Sequence, residues 1–327
     1  MSFSVGVRDR PTISDSNTSP LIQILSWLFL SLIIISVAAQ FITKRAISRR
    51  FGPSDGLLLV ALLLAIGQIS TLLSPAGREI GNSSIELPVE KANGALKALY
   101  SGDMLIILTL TVVKGSVLVA LYAITPIMSH RIVIYATTAV TLGWGISGIF
   151  ATAFQCPSPH RWNLADQQCI DIRALKTYSA SMNILTDVAL IIIPTIVILP
   201  TQMAWEKRLT VLGGFWFRLL AIVATAIQII FIRRLVVDEH ILNTVWQTVV
   251  CQEIVLATSI ITACIPFLKP FLMSLESGFL RADDENRRTA AGLYGSGAKS
   301  SRRTKSYIKM KSQKSREESI KVQETDV

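Results

Sequence analysis

The sequence predicts an all-α polytopic membrane protein, a seven-transmembrane helix bundle with its N-terminus outside and its C-terminus in the cytosol. Three observations predict it. Of the 327 residues 51% are hydrophobic and only 17% are charged, short of the quarter or so typical of a soluble domain. The apolar residues fall in seven long runs, each about 18 residues or more and so long enough to cross a bilayer as a helix. Nothing alternates at period two as barrel strands would, and lipid favours helices because they pair their own backbone groups. A net charge of +10 would suit nucleic acid on a soluble surface, but in a chain this apolar no nucleic-acid partner is expected.

The spans, in order, are Leu21–Ile42, Gly56–Leu73, Met104–Thr125, Ile132–Phe154, Ala180–Met203, Leu209–Ile232 and Thr248–Met273. They divide the chain into an extracellular segment 1–20, a transmembrane domain 21–274 and a basic tail 275–327. The first span is not read as a cleaved signal. Its apolar run exceeds the usual length, and Phe41-Ile-Thr-Lys-Arg offers no small-residue cleavage site. Orientation follows from basic residues near span ends. Lys44, Arg45, Arg49 and Arg50 crowd the first connector and place it in the cytosol, as do Arg131, Lys207 and Arg208 for the later inner loops. Cys156 and Cys169 then share an extracellular loop, where a disulfide persists. Asn82-Ser83-Ser84, a glycosylation sequon, also falls outside. On this map the external and intramembrane charges cancel, and the whole +10 lies on the cytosolic side.

Four ionisable residues interrupt the apolar runs: Lys114, Asp187, Arg218 and Glu253. A charge at the bilayer centre costs about 2.5–3.5 kcal/mol on insertion scales, so such residues face the bundle interior and find partners. Depth counting puts Lys114 about 15 Å and Asp187 about 11 Å from the outer side, a plausible pair. Arg218 and Glu253 would meet only if the guanidinium reached outward. Asn183 stands one turn before Asp187 on the same face and extends the polar stripe. Two readings stay open, an ion-pair network that fixes helix register and a ligand or proton site opening outward. Three histidines, His130, His160 and His240, fall on opposite sides of the membrane, so no metal site is expected. With no phosphate-binding glycine loop and no nucleophile elbow, neither a cofactor nor an enzyme activity is expected.

The strings Cys156-Pro, Trp162, Cys169, Asn183, Asp187, Pro194 and Gln202-Met resemble the fungal rhodopsin-domain integral membrane proteins. These are receptor-like seven-helix proteins of the Pth pathogenicity-receptor type. Lys114-Gly-Ser116, Phe217-Arg218, Glu253 and Ile265-Pro266 with Leu268-Lys269-Pro270-Phe271 extend the resemblance over about Phe51 to Phe279. It implies a plasma-membrane protein that senses external cues. The large animal receptor class is not matched, since Met128-Ser-His-Arg131 lacks an acidic-arginine-aromatic triplet. Coupling to a heterotrimeric G protein therefore rests on analogy.

The functional expectation is a receptor that binds a small or amphipathic external ligand in the outer half of the bundle. Lys114, Asn183, Asp187, Arg218 and Glu253 would form its polar core, and Trp162 on the Cys156–Cys169 loop would lid it. A transporter or ion pathway through the same charges is the alternative, and a structural membrane protein without a ligand is a third reading. The tail, read as disordered, carries Arg302, Arg303, Lys305, Lys309 and Lys311. Such a cluster beside a bilayer attracts anionic lipid by about 1 kcal/mol per charge.

Overall fold

The computed structural model describes residues 18–47, 51–82, 88–125, 127–157, 161–162, 169–199, 212–235 and 241–265. The basic tail cluster from Arg302 to Lys311 and the inner loop at Lys207 and Arg208 lie outside the described residues. Among the described residues seven helices are long and apolar enough to cross a membrane. They are α1 (Ser19–Ile47), α2 (Pro53–Leu73), α3 (Val89–Ile124), α4 (Met128–Ala153), α5 (Ile172–Ile198), α6 (Leu212–Arg234) and α7 (Trp246–Ile265). A short 3-10 turn, Gly77–Glu79, sits between α2 and α3, and a short helix, Ile241–Thr244, precedes α7.

Local chemistry sets several of these ends. Gly52 precedes Pro53, which needs no N–H partner at the first helical position, and the Asp55 carboxylate accepts the Gly52 N–H at 2.7 Å. Asp171 caps α5 by accepting from the Arg173 and Ala174 amides at 3.0 and 3.3 Å. Threonines inside the spans hide their hydroxyls by donating to the carbonyl four residues back, as Thr111, Thr152 and Thr225 do.

Two helices start well before the apolar spans expected for them. α3 starts at Val89 rather than Met104, and α5 at Ile172 rather than Ala180. Hydropathy measures only the stretch that lipid surrounds. Beyond it, α3 continues as an amphipathic helix, burying Ala95, Leu96 and Leu99 while Lys91 and Lys97 face outward. α6 departs the other way. Its helix is interrupted by a turn at Phe217–Arg218 before the regular stretch Leu219–Arg234.

α3 and α7 form the centre of the bundle. Of their membrane-spanning windows 61% and 67% are buried, against 22–39% for the other five. α3 packs on α2, α4 and α5. Its contact with α4 needs glycine: a Cβ on Gly145 would lie 2.5 Å from the Thr111 hydroxyl, so a side chain there would force the helices apart. Large exposed apolar side chains such as Trp27, Leu63, Phe150, Leu185 and Ile230 lie on α1, α2, α4, α5 and α6, the band that lipid covers. The protein is a multi-pass membrane protein in contact with the bilayer.

The two ends of the bundle differ. At the disulfide end the start of α1, the α2–α3 connection, the Cys156–Cys169 bond and the α6–α7 connection share one apolar cluster, with Ile22, Leu72, Ile80, Leu99, Ile172 and Leu242 in it. Gly81, at φ 86°, ties three of these together. Its carbonyl accepts from Thr18 N and its N–H donates to Leu242 O, both at 2.9 Å. At the basic end Lys44 grips Asp55 through both carboxylate oxygens, at 2.7 and 2.6 Å, and so clamps α1 to α2. Arg131 donates to Thr125 O at 2.9 Å and lies over the Tyr122 ring, securing the α3–α4 turn.

Candidate functional site

Reading α3 from the disulfide end, Asp103, Ile107, Leu110 and Lys114 recur at helical spacing; on α5, Lys176, Ala180, Asn183 and Asp187 repeat the same interval. Eleven residues separate the charged pair on each helix, three turns and about 16 Å along one face. The order of sign is reversed between them. Because both helices start from the disulfide end, acid faces base at each level. Asp103 Oδ2 accepts from Lys176 Nζ at 2.6 Å, and Lys114 Nζ lies 3.3 Å from Asp187 Oδ1.

The deeper level is wholly buried. Lys114 donates to Asn183 O at 2.9 Å, to Asn183 Oδ1 at 2.6 Å and to Thr186 Oγ1 at 2.6 Å. Its ammonium also stands 5.1 Å from the centre of the Trp144 ring, a further attraction for a desolvated cation. Arg218, placed by the turn in α6, donates through Nη1 to the same Asp187 oxygen at 2.7 Å. Asn183 passes a bond on to Thr225 of α6 at 3.2 Å. The cluster thus joins α3, α5 and α6 with two cations on one carboxylate. Asp187 Oδ2 and Arg218 Nη2 make no hydrogen bond among the described residues.

Arg218 and Glu253, a conceivable contact from sequence, do not pair. Arg218 goes to Asp187, and Glu253, on α7, accepts instead from Gln68 of α2 at 2.7 Å. Charges that balance along the chain are therefore split in space. The reason is lateral: α5 is α6's packing partner, while Glu253 is held by α2.

Above the cluster a cleft opens toward the disulfide end. Asp103, Lys176 and Gln252 stand at its mouth, where Gln252 Nε2 donates to Asp103 Oδ1 at 3.0 Å. Gln155, Gln228, Thr152 and Ser179 line its walls with Ile106, Leu110 and Val255, and Trp144, Asn183 and Thr225 line its floor. Asn183 is the link, lining the cleft and holding Lys114 behind it. Trp162 packs on the cluster at the disulfide end, with Lys97 Nζ 4.5 Å from its ring centre, rather than lining the cleft. Asn82 donates to Glu79 Oε2 at 3.2 Å. Among the described residues no three His, Cys, Asp or Glu side chains converge on a metal-sized point.

Sequence reasoning missed Asp103, Lys176, Gln252, Gln155, Gln228 and Gln68. Asp103 and Lys176 lie outside the apolar runs and read as loop residues. The repeated eleven-residue interval with inverted sign was the signal available for them. The glutamines carry no such signal, being uncharged and isolated in sequence.

A family profile for the fungal rhodopsin domain matches residues 39–274, which takes in every residue of the cleft and the cluster. The chain belongs to the fungal rhodopsin domain family. A curated relative of this fungal rhodopsin domain protein is the "Polyenoic acids biosynthesis gene cluster protein Ba17b" of Metarhizium anisopliae. It is 26% identical over 219 residues, 62% of this chain, and the match spans 59% of that relative's length. No solved structure matches the chain.

Proposed function

We propose that this fungal rhodopsin domain protein is a receptor-like membrane protein that takes an external small or amphipathic ligand into the cleft and signals at the basic end. One observation carries the reading: the side chain of Asn183 both lines the cleft and holds the buried Lys114. A ligand that recruits Asn183 removes an acceptor from Lys114 and shifts its balance toward Asp187, which Arg218 shares. Arg218 sits at the turn in α6, so a change there alters the helix on its way to the basic end. A ligand shifts such an equilibrium only by its differential affinity for the two arrangements.

On this reading the disulfide end faces outward at the plasma membrane, the basic end meets a heterotrimeric G protein, and the tail basic cluster rests on anionic lipid. The relative's name ties that protein to a polyenoic acid gene cluster.

The test is reconstitution of the full chain in vesicles. Nucleotide exchange on an added heterotrimeric G protein and proton flux under an imposed gradient are measured for wild type and Asp187→Asn. Exchange above that of empty vesicles, altered by the substitution and without flux, is the expected result. Flux without exchange overturns the receptor reading in favour of an ion pathway through the same charges.

A further inference from the structure

We infer that the cleft is built to bind a small neutral solute carrying hydroxyl groups, a short polyol being the simplest case. The inference rests on the receptor reading for its consequence, while the binding itself is argued from the lining alone. The charged lining residues already satisfy each other: Asp103 holds Lys176 at 2.6 Å and takes Gln252 at 3.0 Å. A net anion or cation entering the cleft finds no unpaired counter-charge on its walls.

What the walls leave unpaired is neutral. Gln155 and Gln228 are only 5% and 8% exposed, line the cleft, and make no side-chain hydrogen bond among the described residues. A carboxamide presents a donor and an acceptor side by side. A carboxylate only accepts and would leave the amide carbonyls unpaired; an ammonium only donates and would leave the N–H groups unpaired. A hydroxyl does both, and neighbouring hydroxyls match neighbouring amide atoms. Size agrees with this. The cleft has room for a few water-sized groups. The space suits a solute with a few polar groups.

The experiment is thermal unfolding of the full chain in detergent with four-carbon probes at millimolar concentration: erythritol, butyrate, butylammonium and 4-aminobutyrate. Erythritol alone is expected to raise the Tm saturably. Gln155→Met and Gln228→Met, close in volume, are each expected to weaken its apparent Kd about tenfold, the loss of one or two hydrogen bonds. Gln228→Asn replaces any variant that does not fold, with the same loss expected. Saturable stabilisation by a charged or zwitterionic probe in place of erythritol overturns the inference. So does an erythritol shift of equal size in wild type and variants, which is general osmolyte exclusion, and so does no response to any probe. Because binding is read without a G protein, erythritol binding without nucleotide exchange fails the receptor reading alone. Exchange without erythritol binding fails this inference alone.

Discussion

The two charged levels shared by α3 and α5 use the same residue types at the same interval, yet they differ in kind. At the cleft mouth Asp103 and Lys176 keep side-chain exposures of 14% and 12%, while at the buried level Lys114 and Asp187 are at 0%. The mouth pair is one to one and lies near enough to solvent for water to replace a lost partner. The buried level holds two cations against one carboxylate, in a place where water cannot replace a lost partner. An ion pair near solvent contributes little because water competes for both ends. A buried pair costs much to assemble and still more to break, because a broken one leaves a bare charge. The upper level is thus suited to opening, and the lower level to holding the helices in one register until something rearranges it.

Substitutions can break this contrast, and the largest effect belongs to the buried carboxylate. Asp187→Ala strands both Lys114 and Arg218 and should destabilise the folded protein by about 3–5 kcal/mol or more, seen as loss of the folded fraction in detergent unfolding. Exchanging the buried charges, Lys114→Asp with Asp187→Lys, should not rescue the fold, because it sets a lysine against Arg218. The same exchange at the mouth, Asp103→Lys with Lys176→Asp, should be tolerated there, costing about 1 kcal/mol or less. Equal outcomes for the two exchanges would erase the distinction between the levels.

Lys114→Met should cost less than Asp187→Ala, about 1–3 kcal/mol, since Asp187 keeps Arg218 while Asn183 and Thr186 lose a donor. A Tm loss as large as that of Asp187→Ala would show that Lys114, not Arg218, is the main partner of the carboxylate. Lys176→Met should be smaller still, about 0–1 kcal/mol. The smallest effect is that of salt. Raising ionic strength should shrink the Tm difference between wild type and Lys176→Met slightly, and leave that between wild type and Lys114→Met unchanged, because salt screens a pair near solvent more than a wholly buried one.

Legibility from sequence followed the same division. Seven crossing helices were readable because each is a local property, a run of apolar residues as long as the bilayer is thick. Lys114, Asp187, Arg218 and Glu253 stood out because a charge inside such a run is costly wherever its partner lies. Asp103 and Lys176 did not stand out, since a charge beyond the run is cheap, and only the continued helix gives it a place. The turn at Phe217–Arg218 was invisible as well; Arg218 marks a charge in the run, but nothing along the chain marks a break in the helix.

The sequence by itself therefore determined the number of spans and their order, both of them one-dimensional quantities read along the chain. The tertiary structure alone decided the pairings: Arg218 with Asp187 rather than Glu253, Glu253 with Gln68, and a cleft whose floor is tied to Lys114 through Asn183. Pairing depends on how each helix is rotated and which helix lies beside it. Both are set by interdigitation of side chains from distant parts of the chain, such as Thr111 against Gly145, and lipid, as apolar as the side chains it touches, gives no hydropathy signal to distinguish one rotation from another.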